Sequence, residues 1–150
     1  MSPKDWGPPL WLFFHTLAEK VDETKFDVLG PQIFNLIRKI CSCLPCPDCS
    51  NHATTFLNKV KMNTISTKEN LKMMLFYFHN TVNKRTNKPG FPVVGLSIYS
   101  TYSLPKLFVN FTNTYNKRLG NLRLMNDSLQ RKNVIIFVSG WLKSNHMYFN

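Results

Sequence analysis

The sequence is short of acidic residues, and the shortage lies in one part of the chain. Residues 61–150 contain thirteen lysine and arginine residues but only Glu69 and Asp127 as acids, whereas residues 1–60 contain six of each charge. The formal net charge of +11 therefore belongs to the second part. This asymmetry predicts an acidic partner for that part, such as nucleotide phosphates, nucleic acid or an acidic protein surface, unless the charge only keeps the surface solvated.

Long apolar runs are absent as well. No stretch approaches the roughly 20 apolar residues of a membrane-spanning helix. The N-terminal stretch MSPKDWGPPLWLFFH lacks the basic leader, the sustained apolar segment and the cleavage site of a secretory signal. We therefore expect no membrane span and no secretory signal. The 150 residues, 43% of them hydrophobic, are enough for one domain with its own core.

Cysteine is absent outside one short stretch. Cys41, Cys43, Cys46 and Cys49 lie within it, and His52 follows. A secreted disulfide framework would distribute its cysteines to connect distant loops, so the cluster indicates local chemistry. A redox-active dithiol, a metal site and plain helix packing all fit the spacing.

The three alternatives apply unequally to the four cysteines. A structural zinc site usually draws ligand pairs from two separated segments, and this chain has no second pair, so we predict no metal. Cys41 and Cys43 fit the packing alternative, as small apolar residues near a helix end. Cys46 and Cys49 fit the redox alternative, because Cys-x-x-Cys at a helix start lies near unpaired N–H groups that favour a thiolate. We expect an exposed, attacking Cys46 and a buried Cys49.

Apolar spacing and proline positions predict four helices and a weaker pattern beyond residue 90. The predicted bounds follow: the first helix has Pro8 and Pro9 in its first turn, the second runs from Pro31 to Pro45, the third from Pro47 to about Lys61, and the fourth from Ser66 or Thr67 to about Asn87. Residues 106–118 fit a short basic helix, and 134–142 a strand or a buried helix end. These segments predict an all-α four-helix bundle with additional short C-terminal elements. We divide the chain into a bundle, 1–104, and a basic C-terminal extension, 105–150.

Three motifs follow one another in the first ninety residues. WGPxxWxxxH spans residues 6–15, LPCPDC spans 44–49, and HNTVNKRTNKP spans 79–89. In the third motif, His79 and Asn83 are four residues apart and share a helix face. An aromatic-and-amide face with cations beside it suits a nucleotide, although a solvated helix end explains it too.

In order and spacing, the three motifs resemble the Erv/ALR family of FAD-linked sulfhydryl (thiol) oxidases, in the compact form of large nucleocytoplasmic DNA viruses. The resemblance covers about residues 6–89. It implies that Cys46 exchanges disulfides with the substrate and that Cys49 lies beside the flavin. It implies these cofactor-binding residues: Gly7, Trp11, His15, Cys49, His52, His79, Asn80, Asn83, Lys84 and Lys88. Unlike many family members, this chain has no cysteine pair near either terminus to act as a shuttle.

The resemblance also implies a reaction and its partners. Thiol-containing substrate proteins would be oxidised to disulfides, and molecular oxygen would be reduced to hydrogen peroxide. We expect a homodimer packed through the first two helices, because the consecutive apolar residues 11–14 place some aromatic surface outward. The expected location is the host cytoplasm, at the virus factory, and the virion. The alternative is a structural virion or interaction protein, whose basic C-terminal part docks onto a capsid or another acidic partner.

Overall fold

The computed structural model describes residues 3–116 and 122–149, and almost all of the secondary structure in them is helical. In these described residues, the six α-helices are α1 (Pro3–Lys20), α2 (Phe26–Cys41), α3 (Pro47–Asn58), α4 (Lys68–Arg85), α5 (Leu104–Tyr115) and α6 (Leu122–Asn145). Short 3-10 segments are Glu23–Lys25, Met62–Thr64, Val93–Thr101 and His146–Tyr148. Within the described residues, the extended pairing is an isolated bridge between Val21 and Phe149. The predicted all-α class is confirmed.

The first two helices begin earlier than the prolines predict. Pro8 and Pro9 lie inside α1, and Pro31 lies inside α2. A proline in a helix removes one backbone hydrogen bond, which opposes this arrangement. Tertiary packing outweighs that loss, because the residues ahead of each proline bury apolar side chains, among them Trp6 and Phe26. The predicted starts of these two helices are therefore wrong.

The third and fourth helices follow the sequence signals more closely. Pro47 occupies the first turn of α3. Thr67 caps α4 through a capping box with Asn70, so that each side chain accepts a hydrogen bond from the other residue's backbone N–H. The helix ends at Arg85, and Asn87 then adopts a left-handed backbone with φ 58°. The chain thus turns away from α4 just before Pro89 and Gly90, as predicted.

Helix α1 lies between α4 and α5. Trp11 meets Phe78 of α4 edge to face, with ring centroids 5.0 Å apart. On the other side of α1, Phe13 stacks on Phe111 of α5 at 5.1 Å. Because α5 covers this side, Phe13 and Phe14 are fully buried. The outward aromatic surface that we expected from residues 11–14 is therefore not found on these two side chains.

The C-terminal part contributes two helices. α5 matches the predicted short helix over 106–118, although residues 117 and 118 lie outside the described part. α6 has 24 residues and includes 134–142, so the strand alternative is wrong and this element is not short. The Tyr115 hydroxyl donates to the Ile40 carbonyl at 2.9 Å, and Trp141 Nε1 donates to Gln32 Oε1 at 2.8 Å. These bonds attach both helices to α2.

Residues from both sides of position 104 form one hydrophobic core. Phe111, Tyr115 and Val138 are fully buried in the same cluster as the apolar residues of α1 and α2. This packing argues against a loosely attached extension at 105–150, since its removal would expose the core. None of the helices in the described part of the chain combines the length and the apolar content that crossing a bilayer demands.

Candidate active site

A disulfide between Cys46 and Cys49 occupies the N-terminus of α3. Its two Cα atoms are 5.2 Å apart. Cys46 is the N-cap residue, and the Cys49 backbone N–H donates to its Sγ at 3.2 Å. The turn before it is held by Ser50, whose Oγ accepts a 2.6 Å hydrogen bond from the Leu44 backbone N–H. The redox pair therefore lies where the helix dipole favours negative charge on sulfur.

The two sulfurs are not distinguished by exposure. Cys46 and Cys49 are both half-buried. The expected contrast between an exposed Cys46 and a buried Cys49 is therefore absent from the structure. What distinguishes them is position, because only Cys46 is the capping residue that accepts a helix N–H.

A cavity of about 550 Å³ opens beside the disulfide, between the start of α3, α1 and α4. This size is in the range of about 300–1,000 Å³ found for ligand sites. Seven of the residues predicted for the site line it: Gly7, Trp11, Cys46, Cys49, His79, Asn83 and Lys88. Residues more than eighty positions apart in the sequence are thus brought to one cavity.

Stacked rings form one wall of this cavity. Trp11 and His79 lie nearly parallel, with centroids 4.1 Å apart. Behind them, His15 Nε2 is 3.0 Å from His79 Nδ1, and the His15 ring stacks on Tyr99 at 4.6 Å. Since Nδ1 of His79 is occupied, its Nε2 is the nitrogen left for a ligand.

His79 in this wall and His15 behind it are both neutral near pH 7. Burial, with a smaller effect of neighbouring His79, lowers the pKa of His15 from 6.5 to about 3. Burial and the charge of Lys88 lower the pKa of His79 from 6.5 to about 4. The wall therefore offers a flat, uncharged surface for ring stacking.

The sequence profile of the Erv1 / Alr family matches residues 8–103 of this chain. The chain belongs to the Erv1/Alr family. It is 28% identical over 106 residues to the putative FAD-linked sulfhydryl oxidase 096R of Invertebrate iridescent virus 3, covering 70% of each chain. It is 34% identical to the FAD-linked sulfhydryl oxidase of African swine fever virus (isolate Tick/Malawi/Lil 20-1/1983), covering 55% of this chain and 69% of the relative. The probable FAD-linked sulfhydryl oxidase OPG072 of Vaccinia virus (strain Copenhagen) is 23% identical, with 62% and 92% covered. The predicted resemblance is confirmed.

Four residues that the family resemblance implied do not line the cavity: His15, His52, Asn80 and Lys84. His15 lies behind His79. His52 has a side chain 51% exposed and faces Asp48 at 3.9 Å. Asn80 holds the chain after α4, because its amide donates to the Phe91 carbonyl at 3.0 Å and accepts from the Phe91 N–H at 2.7 Å. The structure therefore indicates that Asn80 holds the loop after α4 in place. Lys84 is exposed, and its neighbour Arg85 lines the cavity instead.

Sequence reasoning missed several residues that line the cavity: Trp6, Cys41, Arg85, Thr86 and Tyr99. Trp6 carried a signal, because it opens the WGP motif. Arg85 lay within the third motif, but nothing distinguished it from Lys84. Tyr99 lies in the 3-10 segment Val93–Thr101 and carried no sequence signal. Burial raises its pKa to about 12, so it stays a neutral hydroxyl.

The residues of this Erv1/Alr cavity fit FAD. Trp6 lines the cavity, and its buried indole Nε1–H has no hydrogen-bond partner among the described residues. A buried donor without an acceptor is costly, and an acceptor of a bound cofactor would satisfy it. Arg85 and Lys88 supply positive charge for a pyrophosphate. The wall of Trp11 and His79 supplies stacking.

The remaining two cysteines are free thiols with structural surroundings. Cys41 is buried, and burial raises the pKa of its thiol well above the ordinary range. Cys43 is half-buried, and its Sγ lies 3.1 Å from the Tyr115 hydroxyl. Both observations agree with the packing alternative for this upstream pair, although Cys41 also lines the cavity. In the described residues, no three His, Cys, Asp or Glu side chains converge as ligands for a metal ion.

Proposed function

We propose that the protein is a FAD-linked sulfhydryl oxidase that forms disulfides in substrate proteins and passes the electrons to molecular oxygen. The observation that carries the proposal is the Cys46–Cys49 disulfide at a helix N-terminus, lining the same cavity as the Trp11–His79 wall. A redox-active Cys-x-x-Cys pair needs an electron acceptor beside it, and this cavity has the residues to hold a flavin nucleotide.

FAD would be held non-covalently in this cavity. Trp11 and His79 would stack on a ring of the cofactor, and Asn83 would offer its amide. Arg85 and Lys88 would bind the phosphates. The chemistry that bound FAD supplies is acceptance of an electron pair from the reduced cysteine pair and its transfer to oxygen, which gives hydrogen peroxide. His52, Asn80 and Lys84 contribute less directly, since they lie outside the cavity lining.

The protein residues perform the disulfide exchange. A thiolate of the reduced substrate attacks Cys46 Sγ, the Cys46–Cys49 bond breaks, and Cys49 leaves as a thiolate. The second substrate thiolate attacks the substrate sulfur of the mixed disulfide, which closes the substrate disulfide and releases Cys46. Both released thiolates lie at the N-terminus of α3, where unpaired N–H groups stabilise negative charge. Cys46 is the sulfur attacked, because it is the capping residue at the outer end of the helix.

The activity is tested with a reduced protein that carries a pair of cysteines and with oxygen as the acceptor. Wild type is expected to release one hydrogen peroxide for each disulfide formed. Variant Cys46→Ser is the matched control, since it keeps the cavity and removes the attacked sulfur. Thiol loss without peroxide release would contradict the proposed acceptor and leave the disulfide exchange standing.

The assembly and location are further parts of the proposal. A homodimer through α1 and α2 is supported by Val28, an α2 side chain that is 57% exposed, rather than by the aromatic run of α1. Sedimentation at micromolar concentration tests it, and a monomer contradicts it. A location in the host cytoplasm and the virion is supported by the viral relatives. Antibody labelling of infected cells and of purified virions tests it.

A further inference from the structure

A second concave surface lies far from the redox pair along the chain, between α5 and the C-terminal end of α6. This groove, of about 570 Å³, is lined by Leu104, Pro105, Phe108, Val109, Ser139, Leu142, Lys143, His146 and Phe149. It lies on the α5 side of α1, because its Phe108 packs on Phe13, whereas Trp11 faces the redox cavity. Its occupant therefore does not compete with the proposed FAD site.

The groove is preformed. α5 is held by the stack of Phe111 on Phe13 and by the Tyr115 hydrogen bond. The C-terminal wall is held by the Asp22 backbone N–H, which donates to the Tyr148 carbonyl at 2.7 Å, and by the bridge between Val21 and Phe149. A groove fixed by its own protein loses little freedom when a partner binds, which favours affinity.

The floor of the groove is apolar and its rim is basic. Lys143 lines it with an exposed side chain, and no acidic side chain is among its described lining residues. Val109 is 55% exposed, and Ile136, one helical turn before Ser139, is 62% exposed and extends the apolar surface along α6. An exposed apolar strip with charged edges is typical of a protein interaction site.

The positive charge around the groove indicates which class of molecule binds in it. Residues 105–150 contain seven lysine and arginine residues and only one acid, Asp127. A second copy that met this groove with its own groove would place Lys143 against Lys143, so electrostatic repulsion opposes it here, whereas the charges of residues 1–60, which include α1 and α2, balance. Nucleic acid would be attracted by the charge but would leave the apolar floor exposed. An acidic segment with apolar side chains satisfies both the floor and the rim.

We propose that the α5/α6 groove docks an acidic amphipathic segment of a partner protein. Two or three apolar side chains of that segment fill the groove over Phe108 and Leu142. A carboxylate of the segment pairs with Lys143. The proposal is independent of the oxidase activity, because the groove contains none of the residues assigned to the redox cavity.

Selection from a displayed library of 16-residue peptides on the flavin-loaded full-length protein tests this inference, with the best peptide then measured by fluorescence anisotropy. We expect the enriched peptides to combine Asp or Glu with spaced apolar residues. Val109→Asp and Lys143→Glu should each weaken the best peptide at least tenfold. Lys59→Glu makes the same charge change on an exposed residue at the end of α3, outside the groove lining, and should change affinity less than twofold.

Flavin content and turnover of a small dithiol serve as the fold control and should be unchanged in all three variants. Several results would overturn the proposal: no enriched peptide, peptides without acidic residues, or peptides that bind the Val109→Asp variant as tightly as wild type. A single-stranded oligonucleotide that binds tightly and loses affinity in Lys59→Glu as much as in Lys143→Glu would indicate a general basic surface instead. A dimer that dissociates in Val109→Asp would show a second copy as the occupant.

Discussion

The Nε2 atom of His15 lies 3.0 Å from the Nδ1 atom of His79, so two histidines 64 positions apart form one unit at the wall of the redox cavity. His79 faces the cavity and stacks on Trp11, while His15 is 3% exposed and stacks on Tyr99. The hydrogen bond between the two rings holds Nδ1 of His79. It thereby fixes whether Nε2 of His79, the nitrogen left for a ligand, carries a hydrogen. His15 therefore acts as a positioning residue through His79.

Replacement of His15 by phenylalanine should weaken FAD binding. The new ring keeps the stacking against Tyr99 but leaves His79 Nδ1 without its partner, which costs about 1–3 kcal/mol for a buried polar group. We expect about a tenfold loss of affinity, measured by flavin fluorescence during titration of the apoprotein. His15→Gln should recover part of the loss, because its amide can still bond to His79.

His52 provides the matched comparison for that experiment. It lies outside the cavity lining with an exposed side chain. His52→Phe should therefore change FAD affinity less than twofold. Equal losses in the His52 and His15 variants would contradict the placement of the two histidines.

Stability should fall when the pH drops below about 6.5. The pKa of His15 is about 3 in the folded protein against an ordinary value of 6.5, so between these values the unfolded chain binds more protons than the folded one. The free energy of unfolding should then decrease by up to about 1.4 kcal/mol for each pH unit from this residue alone. Above pH 6.5, the free energy of unfolding should no longer depend on the protonation of His15.

Urea unfolding at a series of pH values measures this effect. The double variant His15→Phe, His79→Phe should show a flatter profile between pH 4 and 6.5, because both low-pKa groups are gone. A profile as steep as that of wild type would assign the acid sensitivity to other groups.

Substitution of single cysteines should separate the two pairs. Cys46→Ser and Cys49→Ser should each abolish thiol oxidation, because either change removes the disulfide that accepts the substrate thiolate. Cys41→Ser and Cys43→Ser should retain most of the activity. The assay is loss of free thiols from a reduced substrate, with flavin content as the fold control. Loss of turnover in Cys43→Ser at normal flavin content would show that the upstream pair takes part in the reaction.

The C-terminal helices should be required for folding. Phe111 is fully buried against Phe13, so Phe111→Ala should reduce the free energy of unfolding by about 3–5 kcal/mol. Asn113→Ala, an exposed change on the same helix, should cost far less. Truncation after Leu104 should yield an unfolded or aggregated chain. If the truncated chain keeps its flavin and its melting transition, residues 105–150 are a dispensable extension of the bundle at 1–104.

Local signals predicted the parts of the site that lie at helix ends. Cys46, Pro47 and Cys49 define a capped helix start by themselves, and the structure has α3 begin there. Thr67, one of the two predicted starts, likewise caps α4, and the structure adds Asn70 as its capping partner. Capping depends on residues within one turn, which is why these predictions needed no knowledge of tertiary structure.

Long-range packing was not predictable in the same way. Pro8, Pro9 and Pro31 are local helix-start signals, yet buried apolar residues ahead of them extend α1 and α2. The α5 face that covers Phe13 lies almost a hundred residues away in the sequence. The apolar residues 11–14 were therefore predicted to place some aromatic surface outward. For the same reason Tyr99 was missed and His15 was placed at the cavity rather than behind it.

Anaerobic reduction of the purified protein by dithiothreitol tests the central claim most directly. Wild type should bind FAD, its visible flavin absorbance should bleach when the dithiol is added, and the absorbance should return on exposure to air. Cys46→Ser should bind FAD equally well and bleach far more slowly. A protein that stays colourless after refolding with FAD would contradict the account, as would a flavin that Cys46→Ser reduces at the wild-type rate.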